Sequence, residues 1–592
     1  MRAKKTHSIM KSLLKYVSMA CVALLFSACV HNLDTKPIDP NSSTSFNQER
    51  MFTKCYACMA VIGQSKPGED SDVEDMDAGM SGFYRTIWYC NDLTTDEAFW
   101  IWDDAESRGL PTTSWTGTSD MIRGIYTRLN LDIKYCNHYL TYAASESQED
   151  KYRMAEVRWI RAFHYYYLMD MFLYAPFITE ESSEFPHYKP RHEIYQWLVA
   201  ELEELTEELP AVRISNFRVG KAAAQLLLAR IYLNADVYNK YNKDWTSGKT
   251  WDKALATAKA VISDNPQHSL VTEKVVTDSN FVYSAYQRLF MADNDRDDVI
   301  KESVFQIYQD GLYTQSHAGA NFLVAGPRIP GMTAWGIESE WHALRTSPTM
   351  VDKFLSPMNL DRDAAENMVY TEYEMPAVLH DDRAILCSDG RNTEGKKFTL
   401  KGSMTMGDNK YFFESWAGTK FTAVYSTASL PKYTPRRSKD WADTDIPMLR
   451  IAEAYMIQAE AMFRKGDITG ALSIINNTIR ARANADPLLS LDEEMLLDEW
   501  SREFWFEGRR RMDLIRFARF FGPDADRYRY NWEGRMGLTE AEGKRSATTT
   551  PEYMNWFPIP SEDKRANPNF KTDVEGDANN IYAAEGGDGY AY

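Results

Sequence analysis

Beyond its N-terminal segment the sequence has no apolar run long enough to span a bilayer. The apolar stretch Val17–Phe26 is shorter than the roughly 20 residues that a transmembrane helix needs. Lysines and an arginine precede it, so the segment has the layout of an export signal. We therefore expect a signal peptide over residues 1–28 and no transmembrane helix in the mature chain.

The sequence also has too little positive charge for a nucleic-acid-binding protein. It carries 85 acidic and 67 basic residues, which gives a formal net charge of −18. Removal of residues 1–28 takes away five basic residues and no acidic one, so the mature charge becomes −23. Affinity for nucleic acids comes mostly from Lys and Arg meeting phosphates. We therefore expect no nucleic-acid partner, and polyanionic ligands are disfavoured as a class.

The common catalytic and cofactor motifs are missing. There is no GxSxG, no HExxH and no Gly-rich phosphate loop, and the 10 histidines show no metal-ligand spacing. We therefore predict a protein that is not an enzyme and that holds no cofactor or metal. Two alternatives stay open: a calcium ion bound by loop carboxylates, and a glycosidase, whose paired carboxylates cannot be picked out among 85 acids.

Cysteine is scarce, at seven residues. Cys21 lies inside the signal, and Cys29 follows Phe26-Ser27-Ala28, which resembles the lipobox of bacterial lipoproteins. We predict that Cys29 becomes the acylated N-terminus and that residues 29–47 form a tether; a plain secretory signal cut after Ala28 is the alternative. Cys55 and Cys58 fall on an amphipathic segment, so buried thiols are favoured over a redox or zinc motif.

Helical periodicity organises most of the chain. In Asp445–Ala483, apolar residues recur at spacings of three and four, stop at Gly466-Asp467 and resume. This pattern is typical of a tetratricopeptide repeat, although an ordinary helical hairpin fits it too. We predict an all-α fold of stacked tetratricopeptide-like helix pairs in a superhelical scaffold, with repeats over about 121–265 and 445–521 and a loop-rich insertion over about 270–440.

Aromatic residues are plentiful in segments that lack this periodicity. Trp100, Trp102 and Trp115 fall in a polar, irregular stretch of the loop-rich region 64–120. An exposed tryptophan is costly unless it is used, so these residues are candidate platforms for a ligand. The alternative is that they fill the concave side of the helix array.

Glu503 and Glu507 lie one helical turn apart and suggest a pair of catalytic carboxylates. Glu507 precedes Arg510 and Arg511 by three and four residues, a spacing that favours ion pairs on a helix. We therefore interpret the two acids as structural.

Several stretches resemble, in order and spacing, the SusD/RagB family of outer-membrane nutrient-binding lipoproteins. They are the export Cys29 and the segments RWIRAFHYYYLMDMFLYAPFITE (158–180), GKAAAQLLLARIYL (220–233), DIPMLRIAEAYMIQAEA (445–461), REFWFEGRRRMDLIRF (502–517) and WFPIPSEDKRANPNF (556–570). The resemblance covers essentially the whole mature chain, so residues 48–592 are expected to form one SusD-like domain.

This resemblance implies a lipid-anchored protein at the cell surface that captures oligosaccharides, or peptides in the RagB branch. It also implies a partner, a SusC-like TonB-dependent outer-membrane transporter. The family's sugar site is shallow, aromatic and built from irregular regions. The loop after Thr95–Ala98 then supplies Trp100, Trp102 and Asp103, with Trp115 nearby, and the insertion supplies Tyr313, Trp335 and Trp341.

Overall fold

A computed structural model of the protein describes residues 46–63, 71–100, 109–110, 113, 115–277, 282–328, 336–341, 343–358, 380–387, 402–406, 409–413, 417–418, 420–426, 439–522, 552–577 and 580. The chain forms two compact units, Met1–Met51 and Phe52–Tyr592. Of the first unit, residues 46–51 are described, and they begin the first helix. In the described ranges, every helix is too short or too polar to cross a membrane.

Helices dominate the described part of the chain. They are α1 (Gln48–Ala60), α2 (Phe83–Trp88), α3 (Asp120–Tyr142), α4 (Gln148–Met171), α5 (Arg191–Glu208), α6 (Lys221–Leu233), α7 (Ala235–Tyr238), α8 (Trp251–Ser263), α9 (Ala320–Ala325), α10 (Pro348–Leu355), α11 (Ile451–Arg464), α12 (Ile468–Ile474), α13 (Glu493–Phe504), α14 (Arg510–Arg516), α15 (Ser561–Ala566) and α16 (Asn569–Asp573). Two π-helical segments, Tyr89–Leu93 and Ile475–Arg480, extend α2 and α12.

Successive helices pack into one continuous stack. Helix α3 packs on α4, α4 on α5, α5 on α6, α6 on α8, α8 on α11 and α11 on α12. The insertion therefore separates α8 from α11 in sequence but not in space. Alanines allow this close approach, since Ala254 and Ala258 of α8 and Ala459 of α11 are fully buried. The predicted all-α architecture of stacked helix pairs is confirmed.

The turn between α11 and α12 shows how the sequence sets a helix boundary. Gly466 has a φ of 87°, in the left-handed region that glycine adopts at little cost. The Asp467 side chain then accepts a hydrogen bond from the Gly470 amide at 2.9 Å and caps α12. The predicted stop at Gly466-Asp467 is confirmed.

The described strands are short and pair two by two, all antiparallel. They are β1 (Ala98–Trp100), β2 (Tyr174–Phe177), β3 (His187–Pro190), β4 (Val275–Val276), β5 (Val282–Tyr283), β6 (Ser303–Ile307), β7 (Leu344–Thr346), β8 (Leu386–Cys387), β9 (Gly402–Met406), β10 (Asn409–Phe413), β11 (Ala417–Gly418) and β12 (Ile446–Arg450). The pairs are β1–β7, β2–β3, β4–β5, β6–β12, β8–β11 and β9–β10.

Two local predictions were wrong. Ile446–Arg450 was assigned to the first helix of the hairpin but forms β12, in which Leu449 pairs with Phe305 of β6. This segment forms a strand and not a helix because the insertion supplies a partner strand, which periodicity within one segment does not reveal. The region 64–120 was predicted to be loop-rich, yet Phe83–Leu93 is helical and buried because its aromatic side chains form part of the core.

Buried ion pairs join the insertion to the repeats. Glu302 of the insertion pairs with Arg450 at 2.9 Å and with Arg482 at 2.8 Å. Glu503 pairs with the same two arginines, and burial raises its pKa less than Arg482 and Arg450 lower it, so the net pKa lies below its usual value. A carboxylate held in this ionised, paired state is a structural group.

The structure confirms that Glu507 is paired but corrects its partners. Glu507 binds Lys420 at 2.7 Å and Arg450 at 2.8 Å. Arg510 and Arg511 instead reach Asp96 at 2.8 Å and Asp170 at 3.0 Å. The predicted helical spacing fails because Phe506 and Gly508 both have positive φ, which breaks the helix between Glu507 and the arginines.

Candidate functional site

The π-helical segment Tyr89–Leu93 and the stretch that follows it fix the position of strand β1. Asp92 accepts hydrogen bonds from the amides of Gly508 and Arg509 at 3.0 and 3.1 Å. Asp96 binds the side chains of Arg510 and Lys353, both at distances below 3.0 Å. All of these groups are buried, so hydrogen bonds and ion pairs hold the residues before β1 in a rigid position.

Strand β1 then brings the N-terminal region to the insertion. Ala98 pairs with Thr346 and Trp100 with Leu344 of β7. The Trp100 ring stacks on Phe322 of α9, with centroids 5.8 Å apart and planes inclined by 28°. Residues far apart in sequence therefore meet in one aromatic cluster.

Arg85 of α2 lies at the centre of this cluster. Its guanidinium carbon is 5.1 to 5.5 Å from the ring centroids of Tyr89, Trp100, Phe322 and Trp341. Its N–H groups donate to the Tyr89 hydroxyl at 2.6 Å and to the His317 carbonyl at 3.2 Å. A cation over several aromatic faces, with hydrogen bonds that fix its direction, holds those rings in place.

Three half-buried rings line the solvent side of the cluster. His317 lies 5.6 Å from Trp341 and 4.9 Å from Trp441, measured between ring centroids. Burial and the neighbouring Arg85 lower the pKa of His317, so its ring is neutral near pH 7. The rim therefore offers uncharged aromatic surface over a buried cation.

Tyr313 extends from a turn next to this rim. Its relative exposure is 88%. The Asp310 carboxylate accepts hydrogen bonds from the amides of Leu312, Tyr313 and Thr314 at 2.8 to 3.0 Å. Burial raises the pKa of Asp310, but the hydrogen bonds from these amides lower it by more, so the net pKa is below its usual value. The exposed phenol therefore stands on an ordered turn. We call Tyr313, His317, Trp341 and Trp441 the loop face.

Two predicted platforms are instead core residues. Trp100 is 1% exposed and Trp115 is 4% exposed. Trp115 packs edge-on against Phe521 and Phe557, at 6.1 and 5.2 Å between centroids. Rings covered in this way have no face for a sugar, so the prediction of ligand contact is corrected for both. The alternative that they fill the interior of the array is the better interpretation.

The remaining predicted residues divide into two groups. Tyr313 and Trp341 both belong to the loop face, and their role in ligand binding stays a prediction. Trp102, Asp103, Trp335 and Cys29 lie outside the described residues, and their roles stay predictions. Sequence reasoning missed Arg85, His317 and Trp441. Arg85 sits in an aromatic run, which is a weak signal, and nothing in the local sequence marks the other two.

One cluster of possible metal ligands lies in the described core. The ligand atoms of Cys58, Asp132 and His164 all lie within 4.8 Å of one another. Arg128 already pairs with Asp132 at 3.4 Å, and His164 Nε2 is 3.2 Å from the same carboxylate. The Cys58 thiol donates to the Cys55 carbonyl, and burial raises the Cys58 pKa well above its usual value. These contacts satisfy the three groups without an ion.

Sequence comparison identifies the family. A profile described as the SusD family matches residues 301–574, and one described as starch-binding and associating with the outer membrane matches residues 32–233. The chain is 34% identical to the starch-binding protein SusD of Bacteroides thetaiotaomicron, over 93% of this chain and 97% of that protein. This chain belongs to the SusD family. The resemblance seen in the sequence motifs is thereby confirmed.

Solved structures show the same fold for this SusD-family protein. A crystal structure with a xylogluco-oligosaccharide has a TM-score of 0.61 at 14% identity, over 88% of this chain and 97% of the other. The surface glycan-binding protein A from Bacteroides fluxus has a TM-score of 0.57 at 17% identity, over 91% and 99%. At such low identity the likeness concerns the fold, and the site is argued from this chain's own residues.

Proposed function

We propose that this SusD-family protein is a cell-surface lipoprotein that captures oligosaccharides and passes them to a SusC-like TonB-dependent outer-membrane transporter. The observation that carries the proposal is the loop face, where an exposed tyrosine on an ordered turn adjoins half-buried tryptophans over a buried arginine. Sugar rings present C–H faces to aromatic rings and hydroxyls to polar groups, so this surface suits a glycan.

The rest of the predicted site completes this proposal. Trp102 and Asp103 follow β1 in sequence, and Trp335 precedes Trp341 by six residues, so short connections tie them to the elements of the loop face. They would add further rings and a polar group. The lipid on Cys29 would hold the protein at the outer membrane, which fits the matching family profile described as starch-binding and associating with the outer membrane.

We further propose that the protein binds its glycan without cleaving it. Glycoside hydrolysis needs two carboxylates across a cleft, one of them with a raised pKa. In the turn that carries Tyr313, the Asp310 carboxyl has a lowered pKa and accepts hydrogen bonds from three backbone amides. Glu503 and Glu507 are committed to buried ion pairs.

Affinity electrophoresis tests the proposal. The soluble protein that starts after Cys29 would be run through native gels containing starch, xyloglucan or other neutral polysaccharides. We expect retardation by at least one of them, with no release of reducing ends from it. Retardation with new reducing ends would make the protein a glycosidase. No retardation by any polysaccharide or oligosaccharide, together with binding to a peptide library, would instead support the RagB-like alternative.

A further inference from the structure

An open cavity lies on the helical repeats, apart from the loop face. It has a volume of about 620 Å³ and is lined by residues of α5, the end of β3 and the loop after α7. We call it the helix groove and define it by His192, Glu193, Gln196, Trp197, Asn242 and Asp244. It shares no residue with the loop face, so the two surfaces can be altered separately.

The aromatic residue of the helix groove is held in a defined position. Trp197 is half-buried, and its ring meets Tyr165 at 5.2 Å and Phe177 at 5.1 Å between centroids, both edge-on. A ring clamped by two edges loses little conformational freedom when a ligand stacks on it, so the cost of binding is low. This is the property that a sugar platform requires.

Polar side chains surround Trp197 from two walls. On α5, Glu193 lies four residues before Trp197 and His192 four before Gln196, so each pair forms one row along the helix, and both rows line the groove. On the opposite wall, the Asp244 amide donates to the Asn242 side chain at 3.1 Å and fixes the turn. Within the described part of the chain, the side chains of Gln196 and Asp244 make no hydrogen bond, so both remain available to a ligand.

The charges of the helix groove select for a neutral ligand. Two carboxylates, Glu193 and Asp244, line the groove with one lysine, Lys189, which is 4.0 Å from Glu193 and lies over the Phe177 ring. The Arg161 guanidinium, 5.8 Å from the Trp197 ring centroid, already pairs with Glu201 at 3.4 Å. This balance disfavours phosphate or sulfate groups. A rigid indole, two carboxylates and two amides match the C–H faces and hydroxyls of a sugar.

We propose that the helix groove is a second carbohydrate-binding site, which takes a short neutral segment of the same polysaccharide that the loop face captures. This inference rests on the proposed function. Two sites on one chain raise the apparent affinity for a long polymer by avidity, without any new contact at either site. A ligand too short to span both sites gains nothing from the second one.

The test combines variants at the two surfaces. Gln196→Ala/Asp244→Ala removes a neutral and an acidic group from the helix groove. Glu207→Ala/Thr246→Ala is the matched control, because it removes the same kinds of exposed group from the same helix and loop. Tyr313→Ala impairs the loop face. Each protein would be run through native gels with graded starch or xyloglucan, whichever retards the unaltered protein more.

We expect the groove variant to bind the polymer about three- to tenfold more weakly than its control. A protein that combines the groove substitutions with Tyr313→Ala should bind more weakly than Tyr313→Ala alone. Trp197→Ala, checked for folding by circular dichroism, should act in the same direction. A malto- or xylogluco-oligosaccharide should also shift the NMR signal of the Trp197 indole N–H in the Tyr313→Ala protein.

Two results would overturn the inference in distinguishable ways. If the unaltered protein is retarded but the groove variant equals its control and the Trp197 signal stays fixed, the helix groove is not a glycan site, while the proposed function stands. If no neutral polysaccharide of the whole panel retards the unaltered protein and neither oligosaccharide moves the Trp197 signal, both proposals fail.

Discussion

At the residue scale, burial separates the aromatic side chains that support the fold from those that are open to solvent. Trp100 and Tyr313 both lie outside the helical repeats, yet one is 1% exposed and the other 88%. The difference arises because Phe322 and Arg85 cover Trp100, whereas the Asp310 turn holds Tyr313 away from the core. Two substitutions should therefore have opposite effects.

Tyr313→Ala should weaken glycan binding at least threefold and leave the melting temperature unchanged, because an exposed side chain contributes little to stability. Binding would be measured by affinity electrophoresis and stability by thermal unfolding. Tyr142→Ala is the matched control, since Tyr142 is also exposed, at 55%, but lies on the repeats. Equal binding by the two variants would remove Tyr313 from the site.

Trp100→Ala should lower the free energy of unfolding by about 3–5 kcal/mol, because it empties a packed position beside Phe322 and Tyr89. Urea titration followed by circular dichroism measures the change. A variant that keeps full stability but loses glycan binding would restore the ligand role that burial argues against.

The buried Asp96 makes stability depend on pH. Burial raises its pKa, but Arg510 and Lys353 lower it more, so the net pKa is well below the usual value. A carboxylate with a depressed pKa in the folded state adds stability above its unfolded pKa of about 3.9 and loses it as the pH falls. Asp96→Asn removes this contribution and leaves two buried cations, Arg510 and Lys353, without this carboxylate.

We therefore expect the free energy of unfolding of Asp96→Asn at pH 7 to be about 3–5 kcal/mol lower than that of the unaltered protein. This difference should decrease as the pH falls from 5 towards 3. Urea midpoints across this pH range measure it. Asp120→Asn is the control, because this acid is about half exposed in its ion pair with Arg123. A gap that stays constant with pH would show that Asp96 is not ionised in the fold.

At the element scale, helix boundaries follow local chemistry, whereas strands follow distant partners. The stop at Gly466 was predicted correctly because hydrogen bonds in helices and their caps join residues a few positions apart. Ile446–Arg450 was mispredicted because its partner, Ser303–Ile307, lies across the insertion. The same distant pairing places α11 directly against α8.

The turn at Gly466 offers a test of this local control. No atom lies within 4 Å of a Cβ added there, so a substitution meets backbone strain without steric overlap. Gly466→Ala should cost about 1–2 kcal/mol in the free energy of unfolding. Gly466→Asn should cost less, because asparagine tolerates this conformation better. Equal losses for both variants in urea titrations would mean that the side chain, and not φ, matters.

At the scale of the whole molecule, Cys29 is the proposed membrane anchor, next to the predicted signal peptide. Cys29→Ser should move the protein from the membrane fraction to the soluble fraction of expressing cells, because the acyl chains can no longer be attached. Immunoblots of the two fractions measure the change, with Cys90→Ser, a buried cysteine, as the control. A variant that stays in the membrane fraction would refute the anchor.

The sequence by itself determined the helical repeats and the family, because both depend on residues that are close together or recur in order. Only the tertiary structure decided which aromatic rings face solvent. The Arg85 cluster draws on residues from Arg85 to Trp441, and the helix groove joins α5 to a loop over 40 residues later. Exposure depends on what covers a ring, and that is set by contacts between distant segments.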